Sequence, residues 1–381
     1  MSNSNSKTKK PVVVYGASGY TGRLVCEYLR EYGIPFIAAG RSGEKIHAAM
    51  KSNVAGIETA DYEVVEVIHT TEALTELFRG ASVVLNTVGP FSKYGVEVVQ
   101  ACLAAKCHYT DTTGEQDWLI TLDDEYGEKF AAAGLLLSPG LAQMYTTGEI
   151  AAQLCLETPG LDTLDIAVFW GGSPTIASTQ TILVNAATSK AFFLEQNRFV
   201  EWQPDAGLYN VTIPGQHEAA LALPWGGTSH PVWFRKDPRV SNVKVLGGVF
   251  NKPLMLGVPQ IVAAALKATE GMNADDRYEA LSKTAASVMN TMPPRENPRI
   301  NKSVDSVHAQ GPLARAHCVI YGNCNYKQTG LMQAFAAASL LQQAPKRVGF
   351  ASGCQAFGHH ELLGALRSFG LVQAPVLTVH R

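Results

Sequence analysis

"VVVYGASGYTGRLVCEYLREYG", residues 12–33, joins a short apolar strand to an amphipathic helix, with Gly16, Gly19 and Gly22 three residues apart at the turn between them. In that spacing Gly16 lets the chain turn, Gly19 lets the backbone approach a ligand, and Gly22 lets the helix pack closely on the strand. A pyrophosphate seated there meets free amides and the positive end of a helix dipole. Ser18, Tyr20 and Thr21 complete the residues expected around it, Ser18 and Thr21 as hydroxyl donors.

The alternation continues to about residue 140: "PFIAAG", a helix near 43–51, "YEVVEVI", "TEALTELFRG", "SVVLNTVG", "GVEVVQACLAAK", "HYTDTTG", "DEYGEKFAAAG" and "LLLSPG". Apolar strands separated by helices form a parallel sheet covered on both faces. The expected fold class is therefore α/β, a Rossmann-type doubly wound parallel sheet of six strands. Its ligand belongs at the carboxyl ends of the strands, beside the switch point between the first and the fourth. Sheets of this kind that bind NAD end their second strand in an acid that bonds the ribose 2′-hydroxyl. Here that strand ends in Gly40, Arg41 and Ser42, with no carboxylate before Glu44. A guanidinium at that point grips a 2′-phosphate with a bidentate fork, so the expected cofactor is NADP(H), with Ser42 donating beside Arg41.

The opening also looks like that of an extended short-chain dehydrogenase, whose chemistry uses a Tyr-x-x-x-Lys pair. No tyrosine in this chain has a lysine at that spacing; Tyr126 and Lys129 are one residue short. Two further segments, "VVLNTVGPFSKYGVEVVQACLAAKCHYTDTTGE" at 83–115 and "GLLLSPGLAQMYTTGEIAAQL" at 134–154, together with "GASGYTG" and "AGRS", resemble the saccharopine dehydrogenase-like oxidoreductases, which include trans-acting enoyl reductases of lipid assembly. Farther on, "GGSPTIASTQTIL" at 171–183 and "GNCNYKQTGLMQAFAAASLL" at 322–341 look like landmarks of the same family in the same order. Two departures, Gly-Gly-Ser-Pro-Thr in place of Gly-Gly-Thr and "FASGCQAFGHHELL" in place of a Thr-Pro-Ala stretch, fall outside the dinucleotide domain and bear on the substrate.

At the end of the fourth strand, Thr87, Val88, Gly89, Pro90 and Phe91 are expected to border the nicotinamide ribose. Hydride transfer needs a proton donor or an electrophilic hydrogen bond. The candidates after that strand and the next are Lys93, Tyr94, Tyr109 and Asp111, with Tyr94 or Lys93 first. Beyond Glu149 the strand-like runs cluster, with helices expected at 180–196, 258–269 and 276–290, which describes an α+β substrate domain with a mostly antiparallel sheet. Tyr145, Trp170, Trp225 and Phe357 are its candidates for contact with a flat, uncharged substrate; His359 and His360 read as a solvent-facing pair. The expected divisions are a tail at 1–10, the dinucleotide domain at 11–148, the substrate and dimerisation domain at 149–325, and C-terminal helices at 326–381 that return to the first domain.

Composition limits the partners. A net charge of -2 provides no footprint for nucleic acid. The longest apolar stretch, 254–268, is broken by Pro259 and is too short for a membrane span. Seven cysteines without a Cys-x-x-Cys pair suggest free thiols in a reducing compartment and no metal site, so a cytoplasmic location is expected. Charged residues are only 17% of the chain, against about 25% in typical soluble domains, which favours extra buried surface such as a homodimer interface. The sequence thus predicts an NADPH-dependent reductase of an unsaturated, mainly apolar metabolite with a conjugated C=C bond. The alternatives are a saccharopine-type imine or amino-acid dehydrogenase, which needs cations for carboxylates, and a non-catalytic NADP-binding scaffold or redox sensor.

Overall fold

The structure is a computed structural model that describes residues 10–188, 190–203, 207–224 and 228–380. Its first half runs β1 (Val12–Tyr15), α1 (Tyr20–Glu31), β2 (Phe36–Gly40), α2 (Gly43–Asn53), β3 (Tyr62–Glu66), α3 (Thr71–Phe78), β4 (Val83–Asn86), α4 (Phe91–Ala105), β5 (His108–Asp111), α5 (Gln116–Thr121), α6 (Gly127–Ala132) and β6 (Leu136–Ser138). β1, β2 and β4 are buried at every position, as strands covered on both faces must be. The sheet is parallel with the order β3-β2-β1-β4-β5-β6, so the chain reverses direction between β1 and β4 as the alternation predicts. A seventh strand, β15 (Gly349–Phe350), extends it from the far end of the chain by pairing with β6.

α7 (Gln143–Leu156) then carries the chain to a second sheet. The expected domain boundary at residue 148 falls inside this helix, which packs on the second sheet and on the C-terminal helices and is buried along almost its whole length. After it come β7 (Thr163–Trp170), α8 (Ile176–Thr188), β8 (Phe192–Glu195), β9 (Arg198–Glu201), β10 (Tyr209–Val211), β11 (Ala220–Pro224), α9 (His230–Phe234), β12 (Asn242–Val249), α10 (Lys252–Ala268), α11 (Ala274–Val288), β13 (Lys302–Gln310) and β14 (Arg315–Asn323). The chain closes with α12 (Asn325–Gln342), β15, α13 (Gly353–Phe357), α14 (His359–Ser368) and β16 (Val376–His380). The second sheet is ordered β10-β11-β12-β7-β13-β14-β16 and is antiparallel except for the β12–β7 pair. α12 packs against α1 and so returns to the first domain, while β16 pairs with β14 in the second.

One expected helix is shorter than its apolar run suggests. The 180–196 stretch ends its helix at Thr188 and enters a β8–β9 hairpin. Gln196 and Asn197 at its tip both take positive φ, 49° and 60°, the conformation of a two-residue turn that matches strand twist. α8, α10 and α11 share a small core of Leu183, Val184, Ala265, Leu281 and Ala285, separate from the cores of the two sheets. They form a helical cap beside the carboxyl ends of the first sheet.

Candidate active site

The three glycines of the first turn serve different purposes. A Cβ on Gly16, which takes φ +94°, would lie 2.6 Å from Thr87 Oγ1, and one on Gly22 would lie 2.3 Å from the Gly16 carbonyl. Both are required by the packing of the chain on itself. Gly19 has no such reason: its φ of -68° and ψ of 164° suit any residue, and a Cβ there meets only the Gly16 carbonyl, at 3.2 Å. The space beside it opens into the crevice. No side chain caps α1, so its first amides are free to face an anion. This cradle fits a pyrophosphate.

A second helix begins at the same crevice and is closed. Glu115, fully buried, accepts hydrogen bonds from the amides of Phe91 and Ser92, both at 2.7 Å, and so occupies the N-terminus of α4. Burial raises its carboxyl pKa, while these bonds pull it back down. The loop before α4 is held by the strand ends: Thr87 Oγ1 donates to the Tyr15 carbonyl at 3.0 Å, and Asn86 Oδ1 accepts from the Val88 amide at 3.0 Å. Thr87, Gly89 and Phe91 line the cavity that follows, and Val88 and Pro90 shape the loop behind it.

That cavity, about 220 Å³, lies between the first sheet and the second domain. It begins at Gly19–Gly22 and is walled by Thr112 and Gly114 after β5, Ala142, Met144 and Tyr145 at the start of α7, Trp170 at the end of β7, and Thr175, Ser178 and Ile182 around α8. Among the described residues no charged side chain lines it. Its hydroxyls are not equally free. Tyr20 donates to the Pro294 carbonyl at 2.8 Å, and Tyr326 accepts from the Thr175 amide at 3.0 Å and pairs with Ser178 Oγ at 3.0 Å. Tyr145 makes no side-chain hydrogen bond to a described residue, and burial holds its phenol pKa above the ordinary value, so it stays protonated.

The expected proton donors lie elsewhere. Tyr94 lines a separate hollow of about 380 Å³ with Arg41 and Tyr278, and Lys93 places its Nζ 3.7 Å from the centre of the Tyr278 ring. Neither lines the cavity, because α4 carries them away from the β4 terminus to the hollow that holds Arg41. Tyr109 and Asp111 are fully buried inside the sheet. Tyr109 donates to Asp111 Oδ2 at 2.7 Å, and Asp111 Oδ1 accepts from the amides of Thr113 and Gly140 at 2.9 and 2.8 Å. Burial raises the Asp111 pKa to about 7. The pair is a brace that ties the loops after β5 and β6 together, and neither residue reaches the cavity.

Arg41 makes no hydrogen bond or ion pair with a described residue, which leaves its guanidinium available in the hollow. Ser42 is committed differently from expectation: its Oγ caps α2 by accepting from the Lys45 amide at 3.3 Å. Ser18 is half-buried in the turn, where its carbonyl accepts from Arg23 Nε at 2.8 Å. Of the four aromatic residues expected at the substrate, Tyr145 and Trp170 line the cavity and Trp225 lies outside the described residues. Phe357 packs on Phe335 beside a different hollow, near Lys346 and Glu361, and so does not face the substrate. His359 and His360 both bond Glu157 Oε1, at 2.8 and 2.6 Å, rather than facing solvent unpartnered. Sequence reasoning missed Tyr326, Thr329 and Met292. Met292 comes from the segment that follows α11, and the other two reach the cavity only because α12 folds back on α1.

The family described as a saccharopine dehydrogenase NADP-binding domain matches residues 12–133. A lipid droplet localized protein of Caenorhabditis elegans is 35% identical over 131 residues, 32% of this chain and 31% of that one. A saccharopine dehydrogenase-like oxidoreductase of Homo sapiens is 33% identical over 139 residues, 33% of this chain and 32% of that one. A trans-acting enoyl reductase of Mycobacterium bovis is 34% identical over 127 residues, 32% of this chain and 30% of that one. The chain thus spans about a third of the length of the curated relatives it matches. No helix among the described residues is long and apolar enough to cross a membrane. With a saccharopine dehydrogenase-type NADP-binding domain at its front and a match over residues 146–381 behind it, the chain belongs to the family of unknown function DUF5938.

Proposed function

We propose that this chain is an NADPH-dependent oxidoreductase that reduces an unsaturated, mainly apolar small molecule of the enone or enoyl type. The observation that carries the reading is the uncharged lining of the 220 Å³ cavity. A substrate carboxylate or ammonium brought into it would be desolvated without a partner, a penalty of several kcal/mol. An imine or amino-acid substrate of the saccharopine type would need cations there. The arginines of the second half are placed elsewhere: Arg235 bonds Asp124 at 3.0 Å, Arg239 bonds Asp237 at 2.7 Å, and Arg198 and Arg315 are exposed on β9 and β14. The trans-acting enoyl reductase among the relatives supports reduction of C=C.

The α1 amides and Gly19 would hold the pyrophosphate, Arg41 the 2′-phosphate, and the β4–α4 loop would border the nicotinamide. When bound, NADPH supplies hydride to one carbon of the conjugated bond. The phenol of Tyr145 would deliver a proton to the other end of the system, so that one hydride and one proton add across the C=C bond, and the phenolate would take a proton back from solvent when the product leaves. Burial keeps that proton in place at neutral pH and water out of the cavity. All seven cysteines are buried and none is paired in a disulfide, which suits a reducing compartment, and we place the enzyme in the cytoplasm.

The test is NADPH consumption, followed by absorbance of the reduced nicotinamide, with a panel of enones and enoyl thioesters against keto acids supplied with an amine. Turnover with the first panel is expected. Turnover only with the second would install the imine reading, and tight binding without turnover on either would favour a non-catalytic NADP-binding scaffold.

A further inference from the structure

The hollow that holds Arg41 has two walls. One comes from the first domain, with Arg41, Gly89 and Tyr94; the other comes from the helical cap, with Gln180 of α8 and Tyr278, Glu279, Ser282 and Lys283 of α11. α11 is fixed in place by hydrogen bonds from Gln180 Nε2 to Tyr278 O–H at 3.0 Å and to Ser282 Oγ at 2.7 Å. α8 also roofs the neighbouring cavity through Ala177, Ser178, Thr181 and Ile182. Gly89 borders both spaces, so the cap lies along the whole crevice and not over its reactive end alone. Like Arg41, Lys283 has no ion-pair or hydrogen-bond partner among the described residues.

We propose that α11 of the second domain supplies half of the cofactor's adenosine site, with Lys283 facing Arg41 across the hollow as the second cation for the 2′-phosphate. The inference rests on the reading of the crevice as an NADP(H) site. A phosphate monoester carries close to two negative charges at neutral pH, and a single guanidinium leaves one of them uncompensated. Glu279 lies in the same wall and opposes the anion, so the lining charges total one positive with Lys283 and none without it; Lys93, held over the Tyr278 ring, lies outside the lining and adds to the positive field from the α4 side. Tyr94, on the first-domain wall, provides an aromatic face for the adenine, while the Tyr278 ring across from it carries Lys93 Nζ at 3.7 Å. Because the two cations come from different domains, NADP(H) ties the cap, already in contact through Lys93 on the Tyr278 ring, to the first sheet over the cavity in which the substrate is reduced. A dinucleotide lacking the 2′-phosphate does so less well.

The charges in the wall make a signed test. Lys283→Ala is expected to weaken NADPH binding by about 10-fold, and Glu279→Gln to strengthen it, with NADH binding by each variant staying close to that of the parent. Both substitutions are on the exposed side of α11, and Ala is a good helix former, so melting temperatures should stay near the parent's. Titration with 2′,5′-ADP and with 5′-AMP isolates the phosphate: the two variants should move the first and not the second. Unchanged NADPH affinity in Lys283→Ala, with preference lost in Arg41→Ala, overturns the role of α11 and leaves the cofactor assignment standing. A parent that binds neither NADPH nor 2′,5′-ADP overturns both.

Discussion

Replacing Gly19 tests the phosphate turn with the fold held fixed. Its backbone, at φ -68° and ψ 164°, accepts any side chain, and the first carbon of that side chain has only the Gly16 carbonyl within 4 Å, at 3.2 Å. Gly19 is the N-cap of α1, where a non-capping side chain costs about 1 kcal/mol at most, or ~2–4 °C in Tm for a domain of this size. The consequence for binding is larger. A carbon projecting into the crevice displaces the pyrophosphate by up to its own van der Waals diameter, which is enough to break the hydrogen bonds from the α1 amides. Two charge-assisted bonds at about 1.5 kcal/mol each amount to about 3 kcal/mol, or ~100-fold in Kd. Gly19→Val should therefore show NADPH binding weakened about 100-fold by calorimetry, with a melting transition within ~4 °C of the parent. Gly22→Ala should behave in the opposite way and lose stability first, because its Cβ would lie 2.3 Å from the Gly16 carbonyl. If Gly19→Val binds NADPH as the parent does, the turn does not hold the phosphates, and the assignment of the whole crevice falls with it.

Tyr145→Phe should lower kcat by ~10²- to 10⁴-fold at unchanged NADPH affinity, since a general acid acts in the transition state, whereas Tyr94→Phe should alter NADPH binding and leave kcat nearly intact; the reverse pattern in steady-state kinetics would return the donor to α4. Arg41→Ala should weaken NADPH binding by about 30-fold with little effect on NADH, as loss of a bidentate contact predicts, and equal affinities of the parent for the two cofactors would remove the basis for NADP specificity. Burial pushes the carboxyl of Asp305 up to about 8 and that of Glu149 up to about 7. Between about pH 4, where these carboxyls ionise in the unfolded chain, and pH 7 to 8 the folded chain keeps protons that the unfolded chain gives up, so their contribution to stability should be full below about pH 4 and be lost progressively as pH rises to 8. Asp305→Asn should flatten that fall in urea denaturation series, and a slope of the parental size in the variant would assign the proton uptake to other groups.

The parts of the fold legible in the sequence are those set by local chemistry. Apolar runs of strand length alternating with helices dictate a parallel sheet, and the glycine spacing dictates the turn. Arg41 at the end of β2 is legible because a single position relative to a strand end determines what it meets. The rest depends on contacts between distant residues. β15 is two residues long and joins the sheet through the amides of Gly349 and Ala351, bonded to the carbonyls of Leu135 and Leu137 at 2.8 and 3.0 Å. No periodicity can mark so short a strand. The β8–β9 hairpin is hidden for another reason: Gln196 and Asn197 form its tip without the glycine that usually announces such a turn.

The same distinction separates the residues that carry chemistry from those that hold it in place. Asp111 follows a strand that ends at the crevice, which in sequence is equally the position of a catalytic acid and of a loop anchor. The deciding fact is what the two backbones beside it need. The loops after β5 and β6 each bury an amide, at Thr113 and Gly140, and Asp111 Oδ1 satisfies both while Tyr109 satisfies Oδ2. With Glu115 closing α4 in the same way, the buried carboxylates beside the crevice are spent on orphaned amides, and the amides left open are those of α1. An anion entering the crevice is thus directed to the glycine turn by the carboxylates that close the neighbouring helix. The cavity beyond has no charged side chain among its described lining residues, which is the basis for the proposed uncharged substrate.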